Sequence, residues 1–143
     1  MSFYKDLVRG VEVENAVLSM IRKKYPCAVL VNAYHGYDIW VPEINKSIEV
    51  KYDEMSNQTG NIVVEIEMSG KLSALMTTTA DFWIFYDGEI FVRITPKKII
   101  ECILLNKLRF VEFTGKGDLN KKKAFLIPKD MLFSYGKNMD ETL

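Results

Sequence analysis

The sequence predicts a mixed α/β fold, in which helices pack on a mixed β-sheet. Apolar residues recur at helical spacing over residues 3–24 and again after Pro96. Between and beyond these segments lie short apolar or alternating runs of the kind that form strands. The chain has 143 residues, of which 48% are hydrophobic, so it can bury one sizeable core without disulfides or metals. We therefore expect residues 1–143 to form a single domain.

The net charge and the cysteine content argue against several classes of protein. The formal net charge is zero, so the chain lacks the basic excess of a protein that holds nucleic acid by charge alone. Cys27 and Cys102 lie far apart, which favours two buried thiols in a reducing compartment over a disulfide, and a single histidine argues against a zinc site. No apolar run approaches the ~20 residues that span a bilayer, and the N-terminus lacks the layout of a signal peptide. We expect a cytoplasmic protein without a membrane segment.

The first half of the chain is predicted to form one helix and four strands. The helix begins near Phe3 and is ended by Pro26. Turn signals at Gly36 and at residues 42–45 flank the second strand, so that the second and third strands form a hairpin. The four predicted strands cover residues 28–34, 37–41, 46–52 and 62–68.

The second half alternates helices with strands. The Asp87-Gly88 pair suits a tight hairpin turn, and Pro96 suits the first turn of an amphipathic helix. The predicted elements are a helix over 70–80, a hairpin of strands 82–86 and 89–94, a helix from Pro96, a strand over 108–113, a basic loop over 114–123, and a last strand and turn over 124–133. The first part of the chain thus has the order α-β-β-β-β-α-β.

Charged residues interrupt three of the predicted strands. Because side chains alternate along a strand, Glu49 and Lys51 face one way and the apolar residues beside them face the other. Asp38 shares a face with Trp40 on the second strand, and Glu65 lies on the fourth. If these strands are neighbours, their acids point towards one region of the sheet; a solvated sheet face is the alternative.

Glu14 falls at a core-facing position of the first helix. An unpaired carboxylate at such a position costs several kcal/mol or stays neutral. A lysine partner is one compensation, and a cluster with the acids of the sheet around a metal ion is the other. At about 100° per residue, Glu14 lies in the middle of an apolar stripe that comprises Leu7, Val11, Leu18, Ile21 and Tyr25.

Carboxylates that converge without histidine or cysteine suit a hard cation such as Mg²⁺ or Mn²⁺. Such an ion stabilises the charge that develops on a phosphate and lowers the pKa of a bound water. Lys51, on the same face as Glu49, is suited to orient that water and to neutralise charge. The residues therefore indicate metal-assisted phosphodiester hydrolysis.

Asp38 and Glu49-Val50-Lys51 resemble the signature of the PD-(D/E)XK nuclease superfamily, in which an Asp at a strand start precedes Glu/Asp-x-Lys on the next strand. The segment from Gly10 to Glu14 is similar to the Gly-x-x-x-Glu of archaeal-type Holliday junction resolvases. Thr59-Gly60-Asn61, Ser69-Gly70 and the run from Thr78 to Trp83 resemble a branch found in phage and bacterial genomes. The resemblance covers roughly residues 5–95.

The resemblance implies a restriction-endonuclease-like core and a Mg²⁺-dependent DNA endonuclease that works as a homodimer, with branched DNA such as a Holliday junction as a candidate substrate. It implies that the metal is held by Asp38, Glu49, the Val50 carbonyl and Glu14. Catalysis is then carried by Asp38, Glu49, Lys51 and Glu14, with Lys51 positioning the attacking water.

Further residues are expected around this site. Glu65 is an auxiliary acid in this interpretation, and Trp40 packs under the first helix, with base stacking as the alternative. A non-catalytic nucleic-acid-binding or assembly module with the same fold and a hydrolase of small molecules or nucleotides remain as alternative functions. The candidate contacts to the nucleic-acid backbone are Ser73, Thr78, Lys121, Lys122 and Lys123, the lysines being equally explained as solvated charges.

Overall fold

The computed structural model describes residues 3–31, 36–114 and 120–139, with only the main chain described for residues 3–8. The helices are α1 (Phe3–Arg22), α2 (Ser56–Thr59), α3 (Pro96–Leu105) and α4 (Lys129–Phe133), with a 3₁₀ turn at Ala74–Met76. The strands are β1 (Val29–Leu30), β2 (Ile39–Val41), β3 (Lys46–Tyr52), β4 (Asn61–Met68), β5 (Lys71–Leu72), β6 (Phe82–Tyr86), β7 (Phe91–Ile94), β8 (Phe110–Thr114), β9 (Lys121–Pro128) and β10 (Lys137–Asn138). None of the described helices is both long and apolar enough to cross a membrane.

The strands form two sheets. Six strands make a mixed sheet in the order β1-β2-β3-β6-β7-β10, in which β3 and β6 run parallel and the other neighbours run antiparallel. The other four make an antiparallel sheet in the order β5-β4-β9-β8. The predicted α/β class and the predicted mixed sheet are confirmed.

The fourth predicted strand does not lie beside the third. β4 pairs with β9 in the second sheet, and β6 takes the position next to β3. The three central residues of β6 are all buried, so this strand needs cover on both faces. β4 instead buries Ile62 and Val64 and leaves Val63 exposed, a pattern that suits a sheet with one covered face. The prediction that the acids lie on three neighbouring strands is therefore wrong.

The helix predicted over residues 70–80 is also wrong. Ser69 and Gly70 both have positive φ, at 52° and 80°, and turn the chain from β4 into β5. The 3₁₀ turn follows, and the β-branched threonines at residues 77–79 disfavour its extension into an α-helix. The chain therefore passes from β3 to the parallel strand β6 through β4, β5 and a 3₁₀ turn.

The hairpin and the helix predicted after residue 81 are confirmed. β6 and β7 pair antiparallel, and their turn contains Gly88 at a φ of 100°. The Thr95 side chain accepts a hydrogen bond from the Lys98 amide at 3.1 Å and so caps α3, whose first residue is Pro96.

The three consecutive lysines expected in a loop lie instead at the start of β9. Each has an acidic partner on a neighbouring strand, and such cross-strand pairs favour continuation of the ladder. The pairs are Lys121–Glu112 at 3.7 Å, Lys122–Glu65 at 3.8 Å and Lys123–Glu67 at 3.5 Å.

The six-stranded sheet is covered on both faces around β6, whereas Val29 on β1 and Trp40 on β2 stay exposed on one face. On one face, α1 packs Val17 and Ile21 against a core that includes Ile48 and Ile84. On the other face, Trp83 and Phe85 pack against the four-stranded sheet and α3, in a core that includes Ile62, Val64, Ile99 and Ile127. β6 therefore contributes to both cores.

The apolar face of α1 is rotated from its predicted direction. Val11 is 48% exposed, whereas Val13 and Val17 are buried together with Leu18 and Ile21. At about 100° per residue, the centre of this face shifts by about 50°, and Glu14 lies about 35° from the new centre. Glu14 thus stays on the core-facing side, next to the buried stripe rather than in the middle of it.

Two further expectations about side chains are wrong. Trp40 does not pack under α1: its neighbours Ile39 and Val41 point to that core, and Trp40 projects from the opposite face of β2 with 38% of its surface exposed. Of the two cysteines, Cys102 is buried but Cys27 is exposed.

A buried ion pair connects the two sheets. The Lys129 Nζ lies 3.0 Å from the Asp87 Oδ2, and Lys129 also donates to the Asn57 side chain. The Asn57 amide donates to the Asp87 carbonyl at 2.6 Å. Asp87 belongs to the β6–β7 turn of the six-stranded sheet, whereas Asn57 and Lys129 flank strands of the other sheet, so the network fixes the two sheets relative to each other.

Lys129→Met is expected to lower the free energy of unfolding by about 3 kcal/mol, because it leaves the Asp87 carboxylate buried without its cation. Burial raises the pKa of Asp87, but hydrogen bonds from the Ile90 and Glu89 amides and the Lys129 charge outweigh it, so the folded-state pKa is lowered. The stability that Asp87 contributes is therefore present above its unfolded pKa and lost as the pH falls through the folded value. Urea unfolding of both proteins at neutral and acidic pH measures the difference, which should shrink in acid.

Lys98→Met is the matched control, because Lys98 pairs with Glu101 at 3.1 Å on the exposed surface of α3. It should change the free energy of unfolding by less than about 1 kcal/mol. Equal losses in the two variants would contradict the structural role of the Asp87–Lys129 pair.

Candidate active site

Asp38 lies immediately before the first residue of β2. The Asp38 amide donates to the Ile48 carbonyl at 2.9 Å, although Ile39 is the residue that pairs with Ile48 in the sheet. Its side chain then accepts a hydrogen bond from the Val50 amide, with 2.7 Å between Val50 N and Asp38 Oδ2. The carboxylate thus bonds the Val50 amide of β3. In a longer hairpin this amide would bond to the main chain of a residue that precedes Asp38.

Val50 offers a second polar atom at this edge. The N–H and C=O of one strand residue project to the same side of the strand. Since the Val50 amide points to Asp38, its carbonyl projects to that same edge. The main-chain oxygen proposed as a ligand is therefore on the correct side of β3.

Glu49 and Lys51 lie on the face of β3 opposite Ile48 and Val50, as predicted, and this face points away from α1. Ile48 and Val50 contribute to the core beneath α1, and the Asp38 carboxylate bonds the Val50 amide, next to Glu49 in the chain. The Lys51 Nζ lies 3.3 Å from the Glu49 Oε1. The same Nζ lies 5.0 Å from the centre of the Trp83 ring, a distance at which cation–π attraction holds an ammonium group.

Glu14 lies close enough to these acids to interact with them electrostatically. Burial raises the pKa of the Glu14 carboxyl, and the negative charges of Asp38 and Glu49 raise it further. The proximity of Glu14 to Asp38 and Glu49 within reach of one cation stays a prediction, which this electrostatic influence supports.

Burial and the Lys51 charge shift the pKa values of Asp38 and Glu49 in opposite directions. Burial raises the pKa of Asp38, and the Val50 hydrogen bond and the Lys51 charge offset part of this effect. Burial likewise raises the pKa of Glu49, which Lys51 lowers and Asp38 raises again. The site thus holds three carboxylates at a net cost in electrostatic energy, which a cation would relieve.

The described residues contain no ready-made metal cluster of three or more His, Cys, Asp or Glu side chains. Their chemistry nevertheless suits a hard cation, since Asp38, Glu49, Glu14 and the Val50 carbonyl offer only oxygen. Lys51 is the cation that contacts Glu49 directly. A divalent ion would therefore require side-chain rearrangement among these acids.

An open cleft of about 240 Å³ lies beside Glu49 and Lys51. Glu65 lines it from β4, although this strand belongs to the other sheet. The Glu65 carboxylate accepts a hydrogen bond from the Ser73 hydroxyl at 2.7 Å and lies 3.8 Å from the Lys122 Nζ. The fold thus brings Glu65 to the site by packing of two sheets. Ser73 orients this acid with its hydroxyl hydrogen.

The Thr78 hydroxyl, which also lines this cleft, has a defined direction. Its oxygen accepts hydrogen bonds from the Trp83 Nε1 at 3.0 Å and from the Ala80 amide at 3.2 Å. A hydroxyl has two acceptor lone pairs and one donor hydrogen, so these two bonds use its acceptor capacity. Among the described residues the Thr78 hydrogen has no acceptor, and it is available to an oxygen atom of a ligand in the cleft.

Lys121 and Lys123 are not brought to this cleft. They line a separate depression of about 210 Å³ together with Glu67, Gly70 and Glu112. Of the three lysines, only Lys122 is connected to the candidate site, through Glu65.

Trp83 is the contributor that sequence reasoning missed. Its buried ring lies beneath Lys51, and its indole N–H fixes Thr78. An apolar run predicts a core tryptophan, but its place beside Glu49 depends on the register between β3 and β6. No local sequence signal gives that register.

Comparisons with known proteins do not assign this chain to a family. No protein-family model matches it, and neither curated proteins nor solved structures yield a significant match.

Glu14→Gln is expected to stabilise the protein above neutral pH, by up to about 1 kcal/mol for a partly exposed charge. The folded state raises the pKa of Glu14 above its ordinary value of 4.5. Below 4.5 the group is protonated in both states, and as the pH rises through the folded pKa its ionisation destabilises the folded form. Thermal unfolding at pH 8 and pH 4 measures the effect, which should be present at pH 8 and nearly absent at pH 4.

Glu12→Gln provides the control, because Glu12 is exposed on the same helix and pairs with Arg9 at 3.3 Å. Its effect should be small and should not show the same rise with pH. A Glu14 variant that is no more stable than wild type at pH 8 would contradict the crowding of negative charge at the site.

Proposed function

We propose that the protein is a Mg²⁺- or Mn²⁺-dependent DNA endonuclease with a PD-(D/E)XK type of site. The observation that carries the proposal is that the Val50 amide of β3 holds the Asp38 carboxylate, that Lys51 pairs with Glu49 on the same strand, and that burial and both acids raise the pKa of Glu14 on α1. This arrangement agrees with the spacing of the sequence motif. It also explains why charged residues occupy partly buried positions.

The arrangement of secondary structure supports a restriction-endonuclease-like core. α1 packs on the antiparallel strands β1, β2 and β3, and β6 joins β3 in parallel. The connection before β6 contains the short helix α2, strands β4 and β5 of the second sheet and a 3₁₀ turn, where the superfamily order has one strand and a helix. The proposal therefore depends on the helix, the first three strands and β6.

Asp38, Glu49, Glu14 and the Val50 carbonyl would hold the divalent cation. When bound, a divalent ion supplies Lewis acidity and a nucleophilic water for attack on a phosphodiester. The protein keeps the Asp38 carboxylate in place through the Val50 amide. Because the described acids form no ready-made cluster, binding includes movement of their side chains.

Lys51 and Thr78 carry the remaining roles. Lys51 directs its ammonium hydrogens into the cleft while Glu49 and the Trp83 ring restrict its position, so it orients the attacking water and stabilises charge on the phosphate. Thr78 donates its hydroxyl hydrogen to a phosphate oxygen in the same cleft. Glu65, oriented by Ser73, serves as the auxiliary acid on the opposite wall.

A homodimer and a branched substrate such as a Holliday junction complete the proposal. The described residues form one such site, so cutting both strands of a junction would use two copies related by symmetry. The zero net charge means that DNA is held by local contacts and by the cation rather than by a general positive field.

A non-catalytic nucleic-acid-binding or assembly module is the second candidate. The observation in its favour is that the described residues contain no preformed group of three metal ligands. In that function, Lys51 would neutralise Glu49 permanently and the cleft would serve binding alone.

With Mg²⁺ or Mn²⁺, the protein is expected to cleave supercoiled plasmid or a synthetic four-way junction, and EDTA should abolish cleavage. Asp38→Asn, Glu49→Gln and Lys51→Met should each lower the single-turnover rate at least about 100-fold, because each removes a group that acts on the reacting phosphate or its cation. Gel electrophoresis of end-labelled DNA measures the rates, and circular dichroism checks the fold.

Glu67→Gln is the matched control, since Glu67 lies on β4 but lines the separate depression with Lys121 and Lys123. It should leave the cleavage rate within about twofold of wild type, because its carboxylate is outside the reacting cleft. Binding of junctions without metal-dependent cleavage would overturn the nuclease proposal in favour of the non-catalytic module.

A further inference from the structure

We propose that Trp40 is a stacking platform for an unpaired base of the DNA strand whose phosphate lies at Asp38 and Glu49. The inference rests on the proposed nucleic-acid function and extends it, since it names DNA with unpaired nucleotides near the cut as the substrate class. It concerns a residue outside the metal and phosphate machinery.

Trp40 lies beside another exposed apolar residue. Trp40 is 38% exposed, and Val29, its direct partner on β1, is 40% exposed. A single exposed apolar residue is normal on a protein surface. Here a large aromatic ring and an apolar neighbour lie side by side on the sheet face that also carries the candidate acids.

The Trp40 ring is held in a fixed orientation. Its Nε1 donates to the Asn45 Oδ1 at 3.1 Å. Asn45 lies in the β2–β3 turn with a φ of 49°, in the left-handed region, so the turn itself presents the acceptor. The indole N–H already has a hydrogen-bond partner, so the ring is oriented before a ligand binds. Stacking on the apolar ring therefore costs little further side-chain entropy.

The position of Trp40 relative to the acids suits one continuous DNA strand. Asp38 lies two residues before Trp40, about 7 Å away along an extended chain. Trp40 pairs with Ser47, and Glu49 and Lys51 follow Ser47 on that face of β3. A phosphate at the acids therefore leaves its neighbouring base within reach of the indole.

Stacking on Trp40 requires an unpaired base. In a duplex both faces of an internal base are covered by its neighbours, whereas a base at a branch, a flap or a single-stranded segment exposes a face. Aromatic side chains bind such bases with little dependence on sequence. The surface at Trp40 therefore favours branched or partly single-stranded DNA over continuous duplex.

The test is fluorescence titration with EDTA present, using a single-stranded oligonucleotide, a four-way junction with unpaired nucleotides at its centre, and a blunt duplex. The chain has two tryptophans, and Trp83 is buried but lines the cleft, so quenching is assigned to Trp40 only where Trp40→Leu abolishes it. We expect quenching by the first two ligands and little by the duplex. Trp40→Leu should lose the quenching and weaken single-strand binding about 5- to 100-fold, with Trp40→Phe in between.

Phe110→Leu is the matched control, because Phe110 is an aromatic residue that is 50% exposed on β8 of the other sheet. It should leave both affinity and quenching unchanged. Equal affinity of wild type and Trp40→Leu for the single strand, or equal quenching by duplex and single strand, would overturn the inference.

The design separates this inference from the nuclease proposal, because it measures binding without metal or cleavage. Trp40-dependent binding by a protein that cuts no DNA would support the stacking platform and refute catalysis. Metal-dependent cutting with unchanged single-strand binding in Trp40→Leu would refute the platform alone. Urea unfolding of each variant verifies that the substitution has not altered the fold.

Discussion

The hydrogen bond between the Val50 amide and the Asp38 carboxylate determines where the candidate site forms. β2 and β3 stop pairing through their main chains at this point, and the carboxylate takes over the open edge of β3. A backbone donor that is buried without a partner is costly, so the carboxylate satisfies a structural requirement of the strand. The same bond holds the acid at Val50, the residue between Glu49 and Lys51. The position of the proposed metal ligands is therefore a consequence of the way the two strands separate.

The negative charges of the site lower the stability of the fold. Burial raises the pKa of Glu14, Asp38 and Glu49, which means that their ionised forms are less favourable in the folded protein than in water. Lys51 relieves part of this conflict, and two apolar cores on either side of β6 hold the strands in place despite the remainder. Such stored electrostatic energy is useful in a protein that binds a cation, because binding releases it. The Asp87–Lys129 pair lies outside this site and connects the sheets without contributing to the conflict.

The parts of the site that depend on alternation along one strand could be predicted from the sequence. The faces of Glu49 and Lys51 on β3 follow from the period of a strand, and the core-facing side of α1 follows from the period of a helix to within about 50°. The parts that depend on pairing between distant segments could not. The sequence of β4 indicates one buried face but does not identify the strand that pairs with it, so the predicted neighbour of β4 is wrong. The lysines at the start of β9 resemble a loop because their acidic partners lie far away in the sequence. Glu65 reaches the cleft for a reason that no single segment shows, namely the packing of one sheet on the other.

The central claim is that Glu14, Asp38 and Glu49 form one electrostatic unit. Carbon-13 NMR of the side-chain carboxyl groups, followed as a function of pH in wild type and in Glu49→Gln, tests it most directly. The account predicts that Glu14 titrates above its ordinary value of 4.5 and that removal of the Glu49 charge moves its pKa back towards that value. An ordinary pKa for Glu14 that does not respond to the Glu49 substitution would contradict the account.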